Sequence, residues 1–196
     1  MKILKVRVNP EKGVSFTDPN IQAQAERDAN PTPFPDITIP IKTRRGTVNI
    51  RIRNGRVLIN GKWWKVELVD GHVLKEKYLT DFCEGGHFFA GTSHQYKFMK
   101  NGIIWVDRCL DWLNRLAAAV HEIVEICFMT RKVNPLKYEP AHEHANAMEN
   151  VFRHEHELKP SGRVEKIDAG WEHPDDLIVR RHDPAEQFSS PLVGGF

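Results

Sequence analysis

The chain has 196 residues, 40 % hydrophobic and 28 % charged, with a formal net charge of +2 and ten histidines. That length suits one globular domain with extensions, and so balanced a charge gives no electrostatic footprint for nucleic acid. Cys83, Cys109 and Cys127 are odd in number and far apart, which excludes a disulfide framework or a Cys-x-x-Cys knuckle and points to a reducing compartment.

Residues 2 to 8 alternate charged and aliphatic side chains, the period of a half-buried strand, and lack the long apolar core of a signal peptide. No run approaches the roughly 18 apolar residues of a membrane span. A cytoplasmic protein, or one carried in a virus particle, is expected. From Asn9 to Pro40 the chain holds six prolines around a short Ala/Gln/Glu run at 21 to 29. Residues 1–45 therefore read as an N-terminal strand followed by a mostly extended arm, suited to docking on protein neighbours.

A β-meander is expected next. Val48, Ile50 and Ile52 alternate with polar neighbours, Asn54-Gly55 is a two-residue hairpin signal, and Val57 to Ile59 continue the pairing. Asn60-Gly61 gives a second turn and Trp63 to Val69 a third strand. The glycine-rich stretch 71–102 fits no single pattern. Ile103 to Val106 reads as a short buried strand ending at Asp107.

Apolar residues from Leu113 to Phe128 recur at three- and four-residue steps, which predicts a helix over about 109–130, capped by Asp107 or Asp111. Cys109 and Cys127 fall on or near its apolar side and are expected to be buried inert thiols. Lys132 to Pro135 break this helix, and Pro140 suits the first turn of a second one reaching about residue 157. Residues 46–158 thus form the main unit, and the polar stretch 159–196 reads as a tail that offers further contacts to protein neighbours.

The chemistry lies on the two helices. His121 and Glu125 are four residues apart and share a face, with Glu122 beside them. This is the spacing of the HExxH zinc helix with glutamate in place of the second histidine. On the second helix His142 and Glu149 border the apolar stripe of Ala141, Ala145, Met148 and Phe152. Helices joined by a short link pack antiparallel, which would bring these groups together. His121, Glu125 and His142 are then candidate zinc ligands, Glu122 a general base for metal-bound water, and Glu149 a fourth ligand or the partner of a histidine. A buried His–Glu hydrogen-bond network tying the helices would use the same residues. His144, His154 and His156 are expected to be exposed, and His87, after Gly85-Gly86, to be an ordinary surface histidine.

The succession Glu84-Gly85-Gly86-His87, Ile103 to Asp107, His121-Glu122-x-x-Glu125 and Tyr138-Glu139-x-Ala141-His142-x-x-Ala145-Asn146-x-x-Glu149 resembles small phage and environmental proteins. Their helix pair is similar to that of minimal zincin-like metallopeptidases. The resemblance spans about residues 80–153. It implies an α+β fold, a β-meander packed on a zincin-like core of two antiparallel helices, and a metal-dependent hydrolase acting on a peptide or protein. Glu125, where most zincins have histidine, departs from the pattern, and a carboxylate ligand makes the metal a weaker Lewis acid. Two other readings remain. One is a non-enzymatic assembly protein of a virion or complex, with a structural His/Glu staple. The other is a di-iron site, which needs Glu-x-x-His on two helices where only Glu139-x-x-His142 occurs.

Overall fold

The computed structural model describes residues 19–43, 46–78, 82, 84–88 and 98–160. The expected strand at 2–8, Cys83 and almost all of the polar stretch 159–196 lie outside the described residues. The fold is α+β. Its elements in chain order are α1 (Pro19–Ala29), β1 (Thr32–Pro33), β2 (Ile37–Thr43), β3 (Gly46–Ile52), β4 (Arg56–Ile59) and β5 (Lys62–Val69). They continue with α2 (Gly71–Tyr78), β6 (Gly85–His87), β7 (Ile103–Asp107), α3 (Trp112–Thr130) and α4 (Tyr138–Glu155).

Residues 19–43 are not an extended arm. Pro19 occupies the first position of α1, where a missing N–H costs nothing and the fixed φ favours the helix. Ala25 and Ala29 are fully buried against Val69 and Leu74. The following segment supplies two strands. Pro40 is accepted in β2 because β2 and β3 form a sheet of only two strands, and an edge strand tolerates proline.

The meander also differs from expectation. Both Asn-Gly turns form, with positive φ at Asn54, Gly55, Asn60 and Gly61, the conformation a tight two-residue hairpin requires. Beyond the first turn, however, only the Arg53–Arg56 bridge forms before the strands part. β3 turns to pair with β2, while β4 pairs with β5. Ile39, Ile41, Ile50, Ile52, Val57 and Ile59 all enter one core, so two sheets share the apolar surface that one meander would have covered.

In the larger sheet β5 is central. β4 and β1 pair antiparallel with successive parts of it, β7 runs parallel to it, and β6 adds to β7 antiparallel. All five residues of β7 are buried. Ile104 and Val106 face the core that contains α3 and α4, and Ile103 and Trp105 face α1 and α2. That double coverage explains the continuous apolar run. No helix among the described residues is long and apolar enough to cross a membrane.

Asp111, not Asp107, caps α3, accepting the Asn114 N–H at 3.0 Å. At the other end the Asn60 side chain donates to the Cys127 carbonyl at 2.7 Å and to Thr130 Oγ1 at 3.0 Å. The second β-turn therefore ties down the last turn of α3 through one carbonyl and one hydroxyl. Asn60→Ala should destabilise the protein by about 1–2 kcal/mol, through these lost bonds and the positive φ. Asn60→Gly removes the bonds but not the backbone preference, and should recover part of the loss in urea denaturation.

Candidate metal centre

Helix α3 is buried without interruption from Leu116 to Ile126, and His121, Glu122 and Glu125 lie inside that stretch. Ionisable groups sealed in this way require partners, because burying an isolated charge is far costlier than burying a polar group. Helix α4 supplies them. Cross-contacts link Asn114 to Arg153, His121 to Glu149 and Glu125 to His142, an order that makes the pair antiparallel as expected.

Three donor atoms meet at the centre. His121 Nε2 is 3.1 Å from His142 Nδ1 and 3.4 Å from Glu125 Oε2, and His142 Nδ1 is 2.8 Å from Glu125 Oε2. Zinc ligands at 2.0–2.1 Å in tetrahedral array stand roughly 3.3 Å apart, so modest spreading makes room for an ion. His121, Glu125 and His142 thus form a group that can hold a metal ion. Glu125 is 2 % exposed, whereas the His142 side chain is 39 % exposed and opens the group toward solvent.

Glu149 does not join the three donors. One of its oxygens lies 2.9 Å from His121 Nδ1 and the other accepts from Arg153 Nε at 2.6 Å. It therefore fixes the ring and directs Nε2 inward, the usual carboxylate–histidine arrangement behind a metal ligand. Arg153 extends the chain, donating to Asn114 Oδ1 at 2.7 Å and Glu84 Oε2 at 2.9 Å.

His87 is not a surface histidine. It is fully buried, with Nδ1 2.7 Å from Glu122 Oε2 and Nε2 3.6 Å from Glu125 Oε1. The strand places it there: His87 pairs with Ile104 and Gly85 with Val106, so both face α3. A Cβ at Gly85 would stand 3.1 Å from Glu122 Cγ and 3.2 Å from the Trp105 carbonyl oxygen. Glycine there lets the helix lie close enough for Glu122 to reach His87. His87, Glu122 and Glu125 make a second group with metal-ligand proximity.

Two further expectations are corrected. His144 is buried and stacks on Phe128 with ring centroids 4.6 Å apart, and burial lowers its pKa. Cys109 precedes the helix and is exposed, whereas Cys127 packs partly buried against the core with its thiol pKa raised by burial, in keeping with an inert thiol. His154 and His156 are exposed as expected. Arg153 had a signal in the sequence, its position four residues after Glu149. His87 had only its two glycines.

Burial alone would lower the pKa of His121, but hydrogen bonds to Glu125 and Glu149 outweigh it and raise the value to about 10. For Glu125 burial raises the pKa, and the His121 and His142 rings more than reverse this, holding it well below its ordinary value. Burial likewise opposes ionisation of Glu149, and His121 and Arg153 prevail and lower it. With no metal bound, the centre is a network of compensated charges. A metal ion must displace the His121 proton before it can bind Nε2.

Compared with protein families, curated proteins and solved structures, the chain matches none of them. The reading of this centre therefore rests on its own geometry.

The linkage signs define a test. The raised His121 pKa contributes stability that is complete below about pH 6.5 and is lost as pH rises toward about 10. The lowered Glu125 and Glu149 values contribute stability that is present above about pH 4.5 and is lost as pH falls through the folded values. The metal-free melting temperature should peak at about pH 5–6.5 and decline on both sides. Since zinc competes with the His121 proton, the rise in Tm on adding zinc should be larger at pH 8.5 than at pH 5.5. Equal shifts would contradict this competition.

Proposed function

We propose that the protein is a metal-dependent hydrolase of the zincin-like kind, with zinc held by His121, Glu125 and His142 and a peptide bond as its target. The observation that carries this reading is the meeting of those three donor atoms, 2.8–3.4 Å apart, backed by Glu149 and flanked by Glu122. Bound zinc supplies a Lewis acid that lowers the pKa of water toward neutrality and polarises a carbonyl. Glu122 is next to the ligand His121 and is the proton acceptor. His87, at 2.7 Å, holds its carboxylate in place. Glu149 and Arg153 keep the His121 ring from turning, so the ligand set needs little reorganisation when the ion enters. The exposed side of His142 is where substrate approaches.

Glu125 in place of histidine makes the ion less electrophilic, which favours slow turnover or an easily cleaved bond. The complete hydrogen bonding from His121 through Glu149 and Arg153 to Glu84 also favours a second reading. In it the cluster is a staple that stiffens a non-enzymatic assembly protein, and no ion is needed.

Zinc analysis and turnover separate the two. The hydrolase should retain zinc after dialysis against metal-free buffer, and His142→Ala should lose about one ion per chain. Glu122→Gln should keep the ion at His121, Glu125 and His142, yet lose about 10²- to 10⁴-fold in cleavage of a quenched-fluorescence peptide library. Zinc at background level in the unaltered chain would leave the staple reading in its place.

A further inference from the structure

Glu125 has two oxygens, and they face different histidines. Oε2 meets His142 Nδ1 and His121 Nε2, while Oε1 faces His87 Nε2 at 3.6 Å. The other His87 nitrogen faces Glu122 Oε2 at 2.7 Å. One buried imidazole thus lies between two buried carboxylates, its side chain 1 % exposed and theirs 11 % and 3 %. A neutral imidazole has one N–H and one lone pair. Whichever nitrogen carries the hydrogen, the other turns its lone pair toward a carboxylate oxygen. An added proton or a metal ion satisfies both carboxylates.

From this we infer that His87, Glu122 and the far oxygen of Glu125 form a second metal site, and that Glu125 bridges it to the site of His121 and His142. The assignment of this second ion rests on the same metal-centre reading as the first, although each group can hold its ion separately. Several observations favour a metal over a proton. The donor atoms of the three residues lie within 4.8 Å of one another, and an ion between His87 Nε2 and Glu125 Oε1 gains its third ligand when Glu122 swings an oxygen from the Nδ1 edge of the ring toward it. The 3.6 Å separation of His87 Nε2 and Glu125 Oε1 is long for a hydrogen bond and close to the roughly 3.3 Å between neighbouring ligands of tetrahedral zinc. Arg153 is committed to Glu149, Glu84 and Asn114, so it does not serve Glu122. A carboxylate with each oxygen on a separate ion is also the arrangement that holds two metals about 3.5–4 Å apart in hydrolytic centres. Glu122 would grip the second ion with one oxygen and keep the other for accepting a proton. The class of reaction is unchanged, but the substrate would meet two positive centres, which favours groups with two adjacent oxygens, such as a terminal carboxylate beside the scissile carbonyl.

The test counts ions. The full chain, stripped with a chelator, is loaded with zinc chloride, desalted and weighed by native mass spectrometry, with circular dichroism confirming the fold of each variant. About two zinc ions are expected in the unaltered chain, about one in His87→Asn and about one in His142→Ala. Should His87→Asn fail to fold, Glu122→Gln preserves shape and should show the same loss of the second ion. About one ion in the unaltered chain, unchanged by His87→Asn or Glu122→Gln, overturns the second site and leaves the first intact. No zinc in any form overturns both, so the two failures are distinguishable.

Discussion

The carboxylate of Glu125 is sealed inside the protein, and the surroundings of the site follow from the need to compensate its charge. An ionised carboxylate in a dry interior is tolerated only with close partners of opposite charge and full hydrogen bonding. His121, from the same helix, supplies such a charge, and the rings of His142 from α4 and His87 from β6 also face the carboxylate. Each of the first and last is held in turn by another carboxylate, Glu149 or Glu122. Arg153 then anchors Glu149 to Glu84 and Asn114.

The fold makes that convergence possible by burying α3 on almost every side. One flank packs on Ile104 and Val106 of β7, and another on Ala141, Ala145, Met148 and Phe152 of α4. The edge strand β6 adds only three residues, yet its register turns His87 inward, and Gly85 leaves space for Glu122. The result is a charged centre inside an apolar frame, open at His142. Such a centre is held together by protons when it is empty of metal and exchanges them for an ion when one arrives.

Much of this was legible in the sequence, for identifiable reasons. Helix α3 announced itself through a wide apolar face with His121 and Glu125 one turn apart, and the short link to α4 fixed an antiparallel partner carrying His142 and Glu149. Both Asn-Gly turns formed where expected, since few other dipeptides accept two successive positive φ values. What local pattern could not reveal was tertiary choice. β3 pairs with β2 instead of β4 because pairing across a sheet depends on which apolar face completes the core. Pro19 reads as a breaker until its place at a helix start is known. His87 could not be assigned from its neighbours, because its burial follows from strand register with Ile104. The burial of His144 is hidden from local pattern for a related reason, its ring being covered by Phe128 of α3.

The central claim is that three side chains, on two helices, share one ion. Anomalous diffraction at the zinc absorption edge, from crystals grown with zinc, tests it most directly. A peak at about 2.0–2.2 Å from His121 Nε2, Glu125 Oε2 and His142 Nδ1 is the predicted result. A map without that peak, with the His121–Glu149 and His142–Glu125 contacts undisturbed, would contradict it and make the cluster a hydrogen-bonded staple.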